Sequence, residues 1–353
     1  MKDFEVNYQA AKRLRLGETL YRVSDGHYQF KYMPFSSFLY LPLALLPLSL
    51  AKGIWYGSVL LFFGLIFFLS LKLNHPDKKK SFTIGLLSFL ILARYFLREL
   101  QLGQINALIT FLLLMMAWML VQENGLQRRQ VGSGLFWGLA TALKPYSAIF
   151  FPYFVLRKKG LALASGIIVL ILALLAPSLF YGLDGNFKVL NEWQSSLRAS
   201  TPSLFSSQDN ISLIGLFMKW TERQNLSYAF YLIVLAVLGS LVLFLLLRKA
   251  KISEPLLLEC FLLLALIPLI SPLGWDYTLL SSAPAVMLIL NHFDKYRPFW
   301  KAFLCLNFAV IALSLYDLMG RELYASFMSW SVITINFLIL IGYLAYLRIK
   351  GYA

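Results

Sequence analysis

Long apolar runs alternate with short basic segments over most of the chain. Runs at 53–73, 82–98, 105–121, 132–146, 147–156, 161–181, 227–247, 255–273, 276–291, 300–317 and 327–347 predict helices. Most approach the roughly 20 residues needed to cross a bilayer. The fourth and fifth are shorter and meet at Lys144-Pro145, where the proline disfavours a helical conformation at Lys144. They predict either two short helices or one broken re-entrant element with its tip at Lys144-Pro145-Tyr146. Residues 38–50 are apolar but interrupted by Pro42 and Pro47, and so predict a short interfacial or re-entrant piece. The expectation is an all-α polytopic membrane protein of about 11 transmembrane or re-entrant helices. It forms a single integral membrane domain over 1–353, with no internal repeat and no soluble domain.

Composition agrees with the pattern: 59% of the 353 residues are hydrophobic and only 14% are charged. The net charge of +15 raises nucleic acid as a partner. The cations sit in short inter-helix segments, however, not along one face, which points to the bilayer and away from nucleic acid. These clusters are Lys78-Lys79-Lys80, Arg128-Arg129, Arg157-Lys158-Lys159, Arg248-Lys249-Lys251, Lys295/Arg297/Lys301 and Arg348/Lys350. Cys260 and Cys305 lie in apolar runs and read as small core residues. His27, His75 and His292 have no ligand spacing, so no metal site is expected.

Placing the basic clusters on the cytoplasmic side orients the chain. Residues 1–50, 99–104, 182–226, 273–276 and 318–326 are then expected outside, and the C-terminal tail inside. Residues 1–50 form an outer loop with an interfacial helix, and 182–226 a long outer loop. The outside N-terminus carries Lys2, Lys12, Arg13, Arg15, Arg22 and Lys31, which oppose translocation without a preceding helix. The expectation is that a first membrane helix is missing from this chain, and an in-frame apolar segment upstream of Met1 is the observation that tests it.

Almost every unusual polar residue falls on or near the outer face: Asp3-Phe4-Glu5 with Tyr8, Tyr21 and Tyr32; Arg94, Arg98 and Glu99; Gly103-Gln104-Ile105-Asn106; Lys144; Gln208-Asp209-Asn210; and Trp275-Asp276-Tyr277. Arg94 and Arg98 are four apart and share a helical face. Ionisable groups at membrane depth are costly, which marks them as functional candidates. Bland readings stay open beside the functional ones. Arg98-Glu99 also reads as an interfacial anchor, Gln104 and Asn106 as caps of a tight turn, and Asp276 as an N-cap. Lys144, between apolar residues and before a proline, needs an aqueous cavity to be satisfied. An outer carboxylate with semi-buried cations permits deprotonation of a hydroxyl and stabilisation of a phosphate leaving group.

At these residues the sequence resembles glycosyltransferase family 87, polytopic enzymes of the GT-C superfamily. The resemblance runs in order through DFEVNYQAAKRLRLGETLY from Asp3, FKYMPFSSFLYLPLALLP from Phe30, GQIN from Gly103, ALKPYSAIFFPYFVLRKKG from Ala142, DNISLIG from Asp209 and LISPLGWDYTLL from Leu269. It implies a GT-C-like bundle with extracytoplasmic loops, in a bacterial inner membrane. It implies transfer of a hexose, mannose foremost, from a polyprenyl-phosphate donor to a glycan or glycolipid acceptor, with inversion and no cofactor. Asp3 would be the general base. Lys144, with Arg94 or Arg98, would hold the phosphate, and Gln104, Asn106, Asn210 and Asp276 would shape the sugar site; Tyr32 joins them as a substrate-binding candidate. Without a preceding helix, Asp3 is expected to be loosely held. A transporter or flippase of a lipid-linked or anionic solute is the alternative, and a non-catalytic relative a third. The polar residues gather at one face, whereas transporters place theirs near the midplane between repeats.

Overall fold

The computed structural model describes residues 1–74, 78–122, 126–221, 223–248 and 255–352. His75, Lys249 and Lys251 lie outside the described residues, as do the side chains of Lys78 and Lys79. The helices are α1 (Lys2–Arg15), α2 (Ser36–Ala44), α3 (Leu48–Asn74), α4 (Lys78–Leu102), α5 (Asn106–Val121), α6 (Gln127–Leu143), α7 (Phe150–Leu156) and α8 (Gly160–Leu175). They continue as α9 (Ser178–Ser200), α10 (Leu213–Thr221), α11 (Gln224–Leu247), α12 (Pro255–Ile270), α13 (Ala283–Asn291), α14 (Pro298–Leu313), α15 (Tyr316–Ser329) and α16 (Val332–Lys350). Short 3₁₀ turns include Pro145–Ile149 and Asp276–Ser282. Among the described residues there is no strand, only an isolated antiparallel bridge between Asn210 and Trp275.

The protein is an all-α polytopic membrane protein. Among the described residues, four helices are long and apolar enough to cross a bilayer: α3, α4 from Lys80, α11 and α16. The number rises to six if α8 with α9, bent by 88°, and α14 with α15, bent by 101°, each count as one span. In α11 the apolar window has mean hydropathy 2.9 and is only 11% buried. Leu232, Ile233, Val237 and Phe244 face outward; a row of exposed apolar side chains on this scale needs lipid as its solvent. Several runs form shorter elements than the sequence suggests. α5 and α12 have 16 residues each, and the run at 276–291 opens as a 3₁₀ turn before α13. Residues 1–50, expected as an outer loop with an interfacial helix, hold α1, α2 and the start of α3. Much of 182–226 lies in α9 and α10.

The chain divides into two compact units, Met1–Leu65 with Glu99–Pro202, and Ile66–Arg98 with Ser203–Ala353. In the first, α6 packs on α8 through small residues. A Cβ at Gly138 would lie 2.6 Å from the Gly166 carbonyl oxygen and 2.8 Å from Val169 Cβ, and one at Gly134 would overlap Ala162 and Ser165. Small residues four apart let two backbones approach, the membrane counterpart of a packed core. Trp137 fills the next layer, its indole N–H donating to the Ser147 carbonyl at 2.9 Å and its ring edge-on to Phe154. α1 carries Asp3 and Glu5 in its first turn and Lys12, Arg13 and Arg15 in its last, matching the helix dipole. It buries Phe4, Ala10, Ala11 and Leu14 completely. Ala10 and Leu14 share a core with Leu20, Tyr21, Phe30 and Val189. Arg13 closes the following loop by a fork on Asp25, with contacts of 2.5 and 2.9 Å.

In the second unit α12 is enclosed along its length from Leu257 to Leu269. Its Glu259, fully buried, pairs with Arg348 of α16 at 3.4 Å, while Arg348 also donates to the Arg248 carbonyl at 2.9 Å. Lys219 of α10 is pinned by three carbonyls, of Gln208 (3.3 Å), Asn210 (3.0 Å) and Met328 (3.0 Å).

Gly138→Leu forces α6 and α8 apart, an overpacking cost of about 1–3 kcal/mol. The expected result is a lower melting temperature in detergent, and an unchanged one contradicts close packing at this crossing. The hydrogen bond from Arg13 holds the Asp25 carboxyl below its usual value of 3.8, against the opposing effect of burial. A depressed carboxyl stabilises the fold above its ordinary pKa, and the contribution fades as pH falls below about 4. Asp25→Asn is therefore expected to lose about 0.5–1 kcal/mol at neutral pH. It should also speed amide exchange over residues 18–30, with the difference from wild type shrinking below pH 4.

Candidate functional site

The residues that the sequence marks out fall into two groups, one in each unit. The first forms around Lys144. The helix α6 ends one residue earlier, and Lys144 adopts the extended backbone (φ −142°, ψ 119°) that Pro145 imposes. Its side chain is buried. The ammonium donates to Asn106 Oδ1 at 2.8 Å and to Gln104 Oε1 at 3.4 Å. It also sits over the rings of Tyr32, 5.0 Å away, and Tyr146, 5.8 Å away, a cation–π arrangement that strengthens where water is excluded.

Each amide then passes the interaction on. Tyr146 Oη donates to Asn106 Oδ1 at 3.0 Å, and Asn106 Nδ2 donates to Glu99 Oε2 at 2.8 Å. Glu99, fully buried in the last turn of α4, accepts the Ala107 N–H at 2.9 Å through its other oxygen. Glu99, from the preceding helix, thus satisfies an orphan donor at the start of α5, where neither Gln104 nor Asn106 acts as the cap. Gln104 accepts from Tyr32 Oη at 2.9 Å and donates from Nε2 to Asp3 Oδ2 at 2.5 Å. Burial, with the nearby Asp3 and Glu99 charges, pushes the Tyr32 phenol well above its ordinary pKa. The phenol stays protonated and so remains a donor. Donors on one side of Gln104 and the carboxylate on the other leave its amide a single sensible orientation.

Asp3 is half-buried on the first turn of α1, and it is held where the sequence reading expected it loose. Phe4 beside it is the anchor: the ring is completely buried against Tyr40, Trp55 and Tyr8, with centroids 5.9, 5.9 and 6.1 Å away. Gly103, the first residue of GQIN, has φ +73° as the chain turns from α4 to α5, and a Cβ there would come within 2.8 Å of Phe4 Cβ. Its carbonyl accepts the Trp55 indole N–H at 3.0 Å. Glycine here serves both the left-handed turn and the close approach of α1.

The second group is centred on Asp276. Arg94, its side chain 10% exposed, donates to Asp276 Oδ2 at 3.0 Å. It also donates to the Ser314 carbonyl, to Ser314 Oγ at 3.2 Å and to Tyr324 Oη. Asp276 Oδ1 accepts the Tyr277 N–H at 2.8 Å and faces Arg98 Nε at 3.7 Å. Asp276 thus serves as an ion-pair centre more than as a helix cap. Arg98 is 45% exposed, the open cation of this group. Asn210, fully buried, directs its side chain to backbone: Oδ1 accepts the N–H groups of Ser212 and Gly274, and Nδ2 donates to the carbonyls of Leu204, Phe205 and Pro272. It fastens the loop that leads into Trp275-Asp276.

The structure therefore brings Asp3, Tyr32, Gln104, Asn106 and Lys144 into one hydrogen-bonded chain, and Arg94, Arg98 and Asp276 into another. Sequence reasoning missed Glu99 as a member of the first, although a glutamate buried at a helix end was the available signal. It noted Tyr146 only as part of a turn. Tyr324 and Ser314 gave no signal at all. Neither the curated proteins nor the solved structures yield a match to the chain. The sequence profile described as glycosyltransferase family 87 matches residues 30–272, more than half of the chain, and it takes in Tyr32, Glu99, Gln104, Asn106 and Lys144. On that match this membrane protein belongs to glycosyltransferase family 87 and is a glycosyltransferase.

Proposed function

We propose that the protein transfers a hexose, mannose foremost, from a polyprenyl-phosphate donor to a glycan or glycolipid acceptor on the extracytoplasmic side of a bacterial inner membrane. Asp3 carries the proposal. It is a half-buried carboxylate with one oxygen fixed by Gln104, on a helix anchored by its neighbour Phe4, whose side chain is fully buried. In the proposed step Asp3 takes the proton of the acceptor hydroxyl as that oxygen attacks the anomeric carbon. The bond from the anomeric carbon to the phosphate oxygen breaks, polyprenyl phosphate leaves with the electron pair, and the configuration inverts.

Lys144 has a different part from a phosphate ligand. Its ammonium is enclosed by amide oxygens and tyrosine rings, so it orients Gln104 and Asn106 and supplies positive charge behind the base. The half-exposed Arg98 suits a phosphate, with Arg94 and Asp276 holding the surrounding loop.

Within each unit, basic residues and the polar cluster lie toward opposite ends of a helix. Arg128 and Arg129 begin α6 and Lys144 follows its end, about 24 Å along the axis. Lys80 pairs with Asp294 at 3.3 Å near the start of α4, and Arg94 lies about 21 Å further along that helix. In both units the basic end and the polar cluster are a membrane-like distance apart.

Purified membranes supplied with radiolabelled polyprenyl-phosphate mannose test the reading. Asp3→Asn should lower transfer about 100-fold or more, the usual contribution of a general base, and Arg98→Met should raise the donor KM about tenfold, as loss of a charged hydrogen bond requires. Transfer by Asp3→Asn within threefold of wild type contradicts the assignment of the base.

A further inference from the structure

Beside Asp3, another face of α1 lines a cleft of about 240 Å³ that the transfer chemistry does not use. Lys2, Glu5, Val6, Gln9 and Arg13 recur at helical spacing along it, and Asp25, Tyr28, Phe30 and Leu48 complete the wall. We propose that this cleft binds a neutral, hydroxyl-rich sugar unit and serves as the subsite for the acceptor glycan. The assignment rests on the proposed transferase reading, which it extends to the acceptor side.

The lining decides the ligand class. Its two cations, Lys2 and Arg13, are matched by two carboxylates, Glu5 and Asp25, so an anionic headgroup would meet as much repulsion as attraction. A polyprenyl tail would bury these charges against hydrocarbon, at high cost. A neutral sugar suffers neither penalty. Both carboxylates are already oriented, Glu5 by Lys52 at 2.5 Å and by Lys2 at 3.6 Å, Asp25 by the Arg13 fork. Each carboxylate oxygen accepts from one cation and keeps a second lone pair for a hydroxyl donor, and the Lys2 ammonium keeps N–H groups for hydroxyl acceptors. The same partners hold the Glu5 and Asp25 carboxyls below their usual pKa, so both remain acceptors at neutral pH.

The apolar part of the wall is also suited to a sugar. Tyr28 is 50% exposed, with the Lys2 ammonium 6.0 Å from its ring centroid, and it adds an aromatic surface for the C–H side of a pyranose beside the apolar Val6, Phe30 and Leu48. The volume falls below the range of about 300–1,000 Å³ usual for drug-sized ligands, which favours a single ring over a longer segment. Lys2 and Glu5 flank Asp3 in the sequence, so one rigid helix carries the base and the subsite on neighbouring faces.

The test is saturation-transfer NMR on the purified full chain with methyl α-mannopyranoside, together with acceptor and donor KM in the transfer assay. Gln9→Trp fills the cleft from an exposed position on α1, and Tyr28→Ala removes the platform. Wild type should transfer saturation to the ring protons, and both variants should lose at least fivefold of that signal. Their acceptor KM should rise tenfold or more with the donor KM unchanged. Equal signals in wild type and Gln9→Trp, or none in wild type, overturn the subsite. Loss of transfer in Asp3→Asn alongside an unaltered acceptor KM in Gln9→Trp also overturns it, while the transferase reading stands. Glycoside binding that Gln9→Trp abolishes in a chain with no transfer activity supports the sugar cleft and counts against that reading instead.

Discussion

A lysine buried among apolar helices has to be satisfied where it sits, and much of the first unit is arranged to do so. Lys144 is buried, and its ammonium finds two amide oxygens and two tyrosine rings. Leaving such a charge unpaired would cost several kcal/mol. The residues that prevent this come from four separate parts of the chain: Tyr32 before α2, Glu99 at the end of α4, the Gln104–Asn106 turn and Tyr146. Because an amide has a donor end and an acceptor end, fixing its oxygens toward the cation fixes its nitrogens toward carboxylates. Asp3 and Glu99 are the consequence. The site is thus a directional chain of hydrogen bonds in which the cation sets the sense of each member.

The same logic explains why Asp3, in the first turn of α1, is ordered. Its oxygen takes the Gln104 amide, but the helix is placed by Phe4, which is wedged among Tyr8, Tyr40 and Trp55 and needs a glycine opposite. An aromatic side chain buried to this extent contributes about 2–3 kcal/mol, and each ring pair adds about 0.5–1.5 kcal/mol. Packing energy next to the carboxylate thus provides the rigidity that the proposed base requires. In the second unit the division of labour is similar. Asn210 and Arg94 direct their polar atoms to backbone and to Asp276, and Arg98 is left half-exposed.

The broad fold was legible because lipid exposure writes itself into composition: α3, α4, α11 and α16 are apolar runs of spanning length. The break at Lys144-Pro145 was legible for a local steric reason, and the observed extended backbone at Lys144 matches it. The glycine pair Gly134 and Gly138 was there to be read but was overlooked inside an apolar run. α1 was harder. Its apolar positions are interleaved with charges, and without the partners of Phe4 its short sequence looks like a loop. The pairing of Gln104 with Asp3, 101 residues apart, and the capping of α5 by Glu99 could not be seen, because nothing local records them. Asn210 works through backbone. It was expected to help shape a sugar site, and its side chain fastens the loop that leads into Trp275-Asp276.

Turnover of Gln104→Leu at saturating donor and acceptor tests most directly whether this chain of hydrogen bonds positions Asp3 as the proposed base. Leucine keeps the volume and removes both the acceptor for Lys144 and Tyr32 and the donor to Asp3. The account predicts that kcat falls about 10- to 100-fold, the equivalent of one hydrogen bond to a charged group, while the donor KM stays near that of wild type. A kcat within twofold of wild type would mean that Asp3 needs no such support, and would contradict it.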